Sequence, residues 1–330
     1  MSALTRFIKF CKLESVDELL KIDMQKAIID YIVSLKDDKL SHSTIHVLLA
    51  AIYHFCEMSD IVINKKRIRK YKGERIRVVR DRAYAHDEIS MFLNLGDIRI
   101  KAIVLLMASS GIRVGSVPSL QIRHLQKMKD CIYKIVIYEN SNDEYFTFCT
   151  PECGKAIDAY LEYRKRNGEV LMPDSYLIRK QFDIRDLQQI KNSNNPISLP
   201  TLRGLIDCTA IKAGLRSVKH GNMKRERKQL ALTHAFRKFF TNQLVNSKVN
   251  PEIREMLLGH KIGLAGAYYR PSEDDILNEY IKAIDALTIN EENRLKRKVE
   301  KLEVEKSRMD SIELQIAEMR QLVSKNLSPL

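Results

Sequence analysis

Long apolar runs are missing from this chain. No stretch of its 330 residues approaches the ~18 consecutive apolar residues of a membrane-spanning helix, which excludes a helical membrane protein. The first residues, MSALTRFIKFCK, hold no extended apolar core and do not read as a signal peptide. Cysteines are few and scattered, at 11, 56, 131, 149, 153 and 208; only Cys149 and Cys153 are close, in CTPEC. No CxxC pair or neighbouring histidine supplies zinc spacing, and no P-loop is present. The expectation is a cytoplasmic protein with reduced thiols, no metal, no cofactor and no membrane partner.

What the chain has is positive charge. Lys and Arg number 56 against 42 Asp and Glu, a net +14, with a pI near 9.4. Such an excess points to a polyanionic partner, most often nucleic acid. At 45% hydrophobic residues the chain can still build sizeable cores, and its length favours two domains.

Residues 1–63 read as a small all-helical domain without strand signals. VDELLKIDMQKAIIDYIVSLK has helical periodicity, and SHSTIHVLLAAIYHFCEMSDI opens polar and continues apolar. A charged linker is expected over 64–83: of the nineteen residues NKKRIRKYKGERIRVVRDR, ten are Lys or Arg and two are acidic. Such a run is a solvated linker or a strap across phosphates, and its place between domains favours the strap. Lys65, Lys66, Arg67, Arg69 and Lys70 are the candidate phosphate contacts.

Over 84–284 the pattern is mainly α with a small β-hairpin. DEISMFLNLG and IRIKAIVLLMASSG read as helices, the second apolar all round and therefore buried. CIYKIVIY alternates like a strand and pairs through ENSNDE with YFTFC. Thr150 and Pro151 fit the cap and first position of a helix. Helices are predicted over 151–166, 174–191, 201–214, 233–247 and 251–258, with Asn250-Pro251 and Ser272-x-x-Asp275 as further start signals. The tail, 285–330, reads as one long helix over 285–323. Leu295, Val299 and Leu302 form one heptad seam and Met309, Ile312, Ile316, Met319 and Val323 another, in registers that do not join. The tail has modest coiled-coil potential, or packs singly on its own domain.

Three segments carry candidate chemistry. Arg113 follows the apolar helix through Gly111 in SSGIRVGSVPSL. In LTHAFRKFF, His234 and Arg237 lie three apart on one helical face. LLGHKIGLAGAYYRPS places His260 before a glycine-containing stretch and the adjacent Tyr268 and Tyr269. Singly, each is an ordinary helix-end or packing residue. In this order and spacing they resemble the tyrosine recombinase (phage integrase) family, over about residues 5–280. SGIRVGSVP and GLAGAYYRPSE look like its archaeal, mobile-element branch.

The resemblance implies a two-domain C-shaped clamp with an α+β catalytic domain, the first domain being the core-binding half. It also implies cleavage of double-stranded DNA at an attachment site, by a homotetramer on DNA that is a monomer or dimer when free. Arg113 and Arg237 would clamp the scissile phosphate. His234 would do acid–base work and His260 would donate a hydrogen bond to a phosphate oxygen. Tyr269, nine residues past His260, would attack and form a 3′-phosphotyrosyl link, with Tyr268 the less favoured choice. Because that link stores the bond energy, no ATP or metal is needed.

Two positions depart from the family pattern. Asn142 stands at the hairpin turn where the family has a lysine that protonates the leaving 5′-oxygen, and asparagine is no such acid. Lys134, or a lysine at 127–129 or 219–228, is the substitute considered. Ser116 stands where many relatives carry an acidic residue. The leading reading is integration or excision of a mobile element; Xer-like dimer resolution and a catalytically degenerate DNA-binding regulator remain open.

Overall fold

Residues 2–74, 81–191, 195–217, 230–261 and 269–326 are described by a computed structural model. The chain divides into two compact units, Met1–Arg80 and Asp81–Leu330.

The first unit is helical: α1 (Ala3–Phe10), α2 (Met24–Asp37), α3 (His42–Met58) and α4 (Lys65–Lys72). Each begins at a side chain that accepts an otherwise unpaired backbone N–H: Ser2, Asp23, Ser41 and Asn64. Phe7, Ile28, Ile32, Leu49 and Ile52 form its core with no exposed surface. The stretch read as one helix over 16–36 is broken: a 3₁₀ turn spans Asp17–Lys21, and Asp23 caps a new start at Met24. The stretch read as a linker also opens differently. Residues 65–72 are helix α4, because Ile68 is fully buried in this unit's core and Gly73, at φ +73°, ends the turn. Burial of one apolar side chain and an Asn cap outweigh a run of like charges.

The second unit is built around α6 (Ile98–Ser110), of whose 13 residues 11 are buried. The all-round apolar pattern therefore reads correctly. Around it lie α5 (His86–Leu95), α7 (Pro151–Arg166), α8 (Leu187–Lys191), α9 (Leu199–Lys212), α10 (His234–Asn246), α11 (Pro251–Leu257) and α12 (Glu273–Leu287). A three-stranded antiparallel sheet runs β1 (Leu125–Lys127), β2 (Tyr133–Ile137), β3 (Tyr145–Cys149) in that order. The β2–β3 pair, with Ile135 opposite Thr147, is the predicted hairpin. Strand β1 is too short for its pattern to be read from the sequence.

The helix predicted over 174–191 is absent except for Leu187–Lys191. Its backbone pairs outward instead: Leu177 N donates to Leu120 O at 2.8 Å and Lys180 N to Asn195 O at 2.9 Å. Leu177, Ile178 and Arg179 are buried in succession, which no single helix face allows. Arg179 is drawn inward by Glu169, 2.8 Å away, and Glu169 also takes Arg164 at 2.5 Å. These tertiary bonds override local helix propensity.

The tail is not one helix from 285. α12 ends at Leu287, and both Glu152 carboxylate oxygens accept the N–H groups of Ile289 and Asn290 at 2.7 and 3.0 Å. A 36-residue helix, α13 (Glu291–Asn326), follows. Leu295, Val299, Leu302, Met309, Ile312 and Met319 are all exposed along it.

Candidate active site

The site begins where α6 stops. Gly111 takes φ +62° at its end, a conformation that favours glycine. A Cβ there would also lie 2.2 Å from the Phe240 ring. The last carbonyls of a helix lack intrahelical donors, and three elements supply them. Tyr280 Oη donates to Ser109 O at 2.8 Å, Thr147 Oγ1 to Ser110 O at 3.1 Å, and Arg237 Nη1 to Gly111 O at 2.7 Å. The helix end is thereby locked to α12, β3 and α10. Arg113 projects just beyond it and is exposed. Ser116 is buried and donates through N and Oγ to Arg113 O at 2.9 and 2.7 Å. It supports the backbone of Arg113.

Arg237 is only 7% exposed. Besides Gly111 O, it donates through Nη2 to Leu258 O at 2.5 Å, at the end of α11, and faces His260 Nε2 at 2.9 Å. Its charge thus sits at the negative ends of two helices. Burial, and next the like charge of Arg113, push its pKa down. Two guanidiniums close enough to oppose each other form a place that an anion relieves.

An arginine has only donors, so His260 Nε2 accepts and Nδ1 carries the proton. Nδ1 donates it to Glu255 Oε2 at 2.6 Å, and hydrogen bonding from His260 holds the Glu255 carboxyl below its ordinary pKa. Gly259 lets the chain pass: it has φ +63°, and a Cβ would meet the Tyr145 ring at 2.5 Å. The Tyr145 hydroxyl is buried and faces the Arg237 guanidinium. Burial pushes its pKa up, and the nearby charges of Arg237 and Arg113 offset part of the rise.

His234 opens α10 and is exposed. Partial desolvation lowers its pKa, aided by Lys238 and Arg237 and opposed by Asp81. Asp81 itself pairs with Lys238 at 2.5 Å. Tyr269 is half-buried and packs against the core of this unit. Among the described contacts it makes none to Arg113, Arg237 or His260. Tyr268, the glycines before it and the lysines of 219–228 lie outside the described residues.

Arg113, His260 and Lys261 line a cavity of about 530 Å³ with Tyr138, Ser141 and Asp143. An adjoining cavity of about 410 Å³ holds Lys134, Asn142, Asp143, His260 and Lys261. Asn142 is exposed in the β2–β3 turn. Lys134 is on β2, its ammonium 2.5 Å from Glu273 and 4.8 Å from the centre of the Phe146 ring. The structure therefore brings Arg113, Arg237 and His260 together, sets His234 at the edge, and turns Lys134 toward α12.

In the first unit the basic candidates split. Lys66, Arg67 and Lys70 line a groove of about 700 Å³ with Asn64 and Tyr71. Lys65 turns away to pair with Glu57 and lies 5.7 Å from the Tyr53 ring centre. Arg69 is exposed and does not line the groove.

Sequence reasoning missed Glu255, Tyr145 and Lys261. Lys261 adjoins a motif histidine and could have been found by extending that motif one residue. Tyr145 carries no local signal, since only the fold brings β3 under Gly259.

A family model described as the phage integrase family matches residues 82–274. Among solved structures, a Tn1549 transposon integrase in complex with a circular intermediate DNA is similar at 16% identity, with a TM-score of 0.54. That match covers 84% of this chain and 91% of the other. XerH site-specific recombinase bound to palindromic difH substrate, a post-cleavage complex, is similar at 15% identity with a TM-score of 0.53, covering 83% and 74%. At these identities the likeness is one of fold. The comparison with curated proteins gives no match.

Proposed function

The chain belongs to the phage integrase family, and from that premise we propose that it cuts and rejoins double-stranded DNA at a specific site through a 3′-phosphotyrosyl intermediate on Tyr269. The observation that carries this reading is that Arg113 and His260 line one cavity while Arg237 sits directly behind His260, held by the carbonyls at the ends of two helices. Phosphodiester cleavage builds negative charge on a pentavalent phosphorus, and preorganised guanidiniums stabilise that charge without reorganising. In this reading Arg113 and Arg237 hold the non-bridging oxygens. His260, oriented by Glu255 through Nδ1, stands against the same phosphate. His234 accepts the phenolic proton, and its lowered pKa keeps it neutral and able to do so.

Lys66, Arg67 and Lys70 would track the DNA backbone, and the DNA in the two similar solved structures supports duplex DNA as the partner. Integration or excision of a mobile element, by four protomers on DNA, is the biological role we assign. Light scattering of the protein–DNA complex should count four protomers; a stable complex of one protomer on a complete site removes the tetramer. A non-cleaving DNA-binding regulator is the second reading, favoured only by Asn142 in the turn.

The deciding experiment incubates the protein with nicked duplexes, selected by binding from a random library, without divalent metal. A covalent adduct on a denaturing gel, mapped by mass to Tyr269, is the expected result. Tight binding with no adduct on any selected duplex supports the regulator instead.

The pH profile tests His234. Its pKa is lowered, so the acid limb of the cleavage rate should fall below the ~6.5 of an ordinary histidine. His234→Ala should remove that limb. A limb centred above that value assigns the base elsewhere.

A further inference from the structure

Breaking the DNA strand requires more than a nucleophile and a clamp. The departing 5′-oxygen leaves as an alkoxide unless a proton reaches it, and an alkoxide is a poor leaving group at neutral pH. Arginine cannot supply that proton in a protein, so neither guanidinium serves. Resting on the recombinase reading above, we propose that Lys261 is the acid that protonates the leaving oxygen, in place of a side chain from the β2–β3 turn.

Three observations carry the assignment. Lys261 is the next residue after His260, whose Nε2 is 2.9 Å from the Arg237 guanidinium, so its backbone is fixed one residue from the phosphate clamp. It lines both adjoining cavities, a position shared only by Asp143, Gly259 and His260 among their described linings. It therefore stands between the Arg113 side and the turn side of the site. Its ammonium is 3.2 Å from Asp143 Oδ1 in the β2–β3 turn, with both side chains largely exposed, at 83% and 73%. An exposed ion pair is weak and screened. A phosphate entering the site replaces Asp143 as the partner of Lys261, and the long side chain swings to it without disturbing the fold. The turn thus still positions an ammonium, but one lent by the residue after His260.

The described alternatives fit less well. Lys134 lines only the turn-side cavity, away from Arg113, and its ammonium is held by Glu273 at 2.5 Å with the side chain 14% exposed. Tyr145 is packed against Gly259, and burial makes its phenol a weaker acid. The step balances in atoms and charge. The Tyr269 oxygen bonds to phosphorus as the bond from phosphorus to the 5′-oxygen breaks. The phenolic proton passes to His234, and the Lys261 ammonium gives its proton to the leaving oxygen and becomes an amine. Rejoining runs the same transfers backwards.

The test compares single-turnover cleavage of two nicked duplexes, one with an ordinary 5′-oxygen and one with sulfur at that bridging position. A thiolate leaves without protonation, so loss of a general acid is silent on the sulfur substrate. Lys261→Ala should cleave the oxygen substrate on the order of 10²–10⁴-fold more slowly than wild type and the sulfur substrate at near the wild-type rate. Lys261→Arg, which keeps the charge but not the acid, should behave like Lys261→Ala. The proposal is overturned if Lys261→Ala is equally slow on both substrates, if it is unimpaired on oxygen, if Lys261→Arg restores the oxygen rate, or if Lys134→Ala shows the sulfur rescue instead. Wild-type protein that forms no adduct on either duplex sinks the recombinase reading itself, a result distinct from all of these.

Discussion

Tyr269→Phe should form no covalent adduct with DNA while binding it with unchanged affinity. The change removes one oxygen and keeps the ring, so the half-buried packing of residue 269 against the core survives. What disappears is the only atom able to bond to phosphorus in the proposed mechanism. Deleting an enzymatic nucleophile costs on the order of 10⁶ in rate, which puts the adduct below detection. The position also suits a nucleophile. Residue 269 stands three before Ser272, whose hydroxyl accepts from Asp275 N at 3.2 Å while the Asp275 carboxylate accepts from Ser272 N at 3.0 Å. That reciprocal cap fixes the start of α12, and Tyr280 ties the same helix to the end of α6, beside Arg113. The tyrosine is therefore carried by a helix start anchored to the site, while the backbone before it is glycine-containing. Gel shifts and denaturing gels on the same duplex check both halves of the expectation. An adduct that persists in Tyr269→Phe and vanishes in Tyr268→Phe moves the nucleophile by one residue.

Glu169→Gln should cost the second unit about 3–5 kcal/mol of stability, the size expected when one partner of a buried ion pair is removed. Glu169 is the shared counter-charge of Arg164 and Arg179, with side chains exposed by 0%, 0% and 3% respectively for Glu169, Arg164 and Arg179. Glutamine preserves volume and some hydrogen bonding but leaves two guanidiniums in the interior without a carboxylate. Arg164 also donates to Tyr176 O and Leu177 O at 2.8 and 3.0 Å, so the loss spreads into the segment that replaced the predicted helix. Burial pushes the Glu169 carboxyl up, yet the hydrogen bonds and charges of both arginines outweigh it and the net shift is downward. A lowered carboxylate pKa sets the sign of the pH dependence. The stabilisation is fully present above the unfolded-state value of about 4.3 and is lost as pH falls through the lower folded value. Urea denaturation at neutral pH and again in acid should show a large difference between wild type and variant that narrows in acid. Equal midpoints at neutral pH would mean that the triad contributes nothing to stability.

Local chemistry made much of the fold legible. Thr150-Pro151, Asn250-Pro251 and Ser272-x-x-Asp275 start helices in the structure as their residue types require, because a cap is a contact between residues two or three apart. The buried character of α6 was visible because apolar residues occupy every face. The candidate residues of the proposed site were legible as types in order: Arg113, His234, Arg237, His260 and Tyr269.

Their arrangement was not. Arg237 joins Gly111 O, Leu258 O and His260 Nε2, a geometry that exists only after three helices have met. The pairing of Lys261 with Asp143 needs the hairpin turn folded beside the end of α11. Helix α4 hid behind its charges because one buried isoleucine decides it. The segment 174–191 read as helix because propensity is local, while Glu169 and the strand-like partners of Leu177 and Lys180 are supplied from elsewhere in the chain. Sequence by itself determined the residue types, the helix starts that carry local caps such as Thr150-Pro151 and Ser272-x-x-Asp275, and the resemblance to the family. Tertiary structure decided which charges are buried, which carbonyls hold the arginines and which lysine reaches the site, because those outcomes depend on contacts between groups the chain order keeps apart.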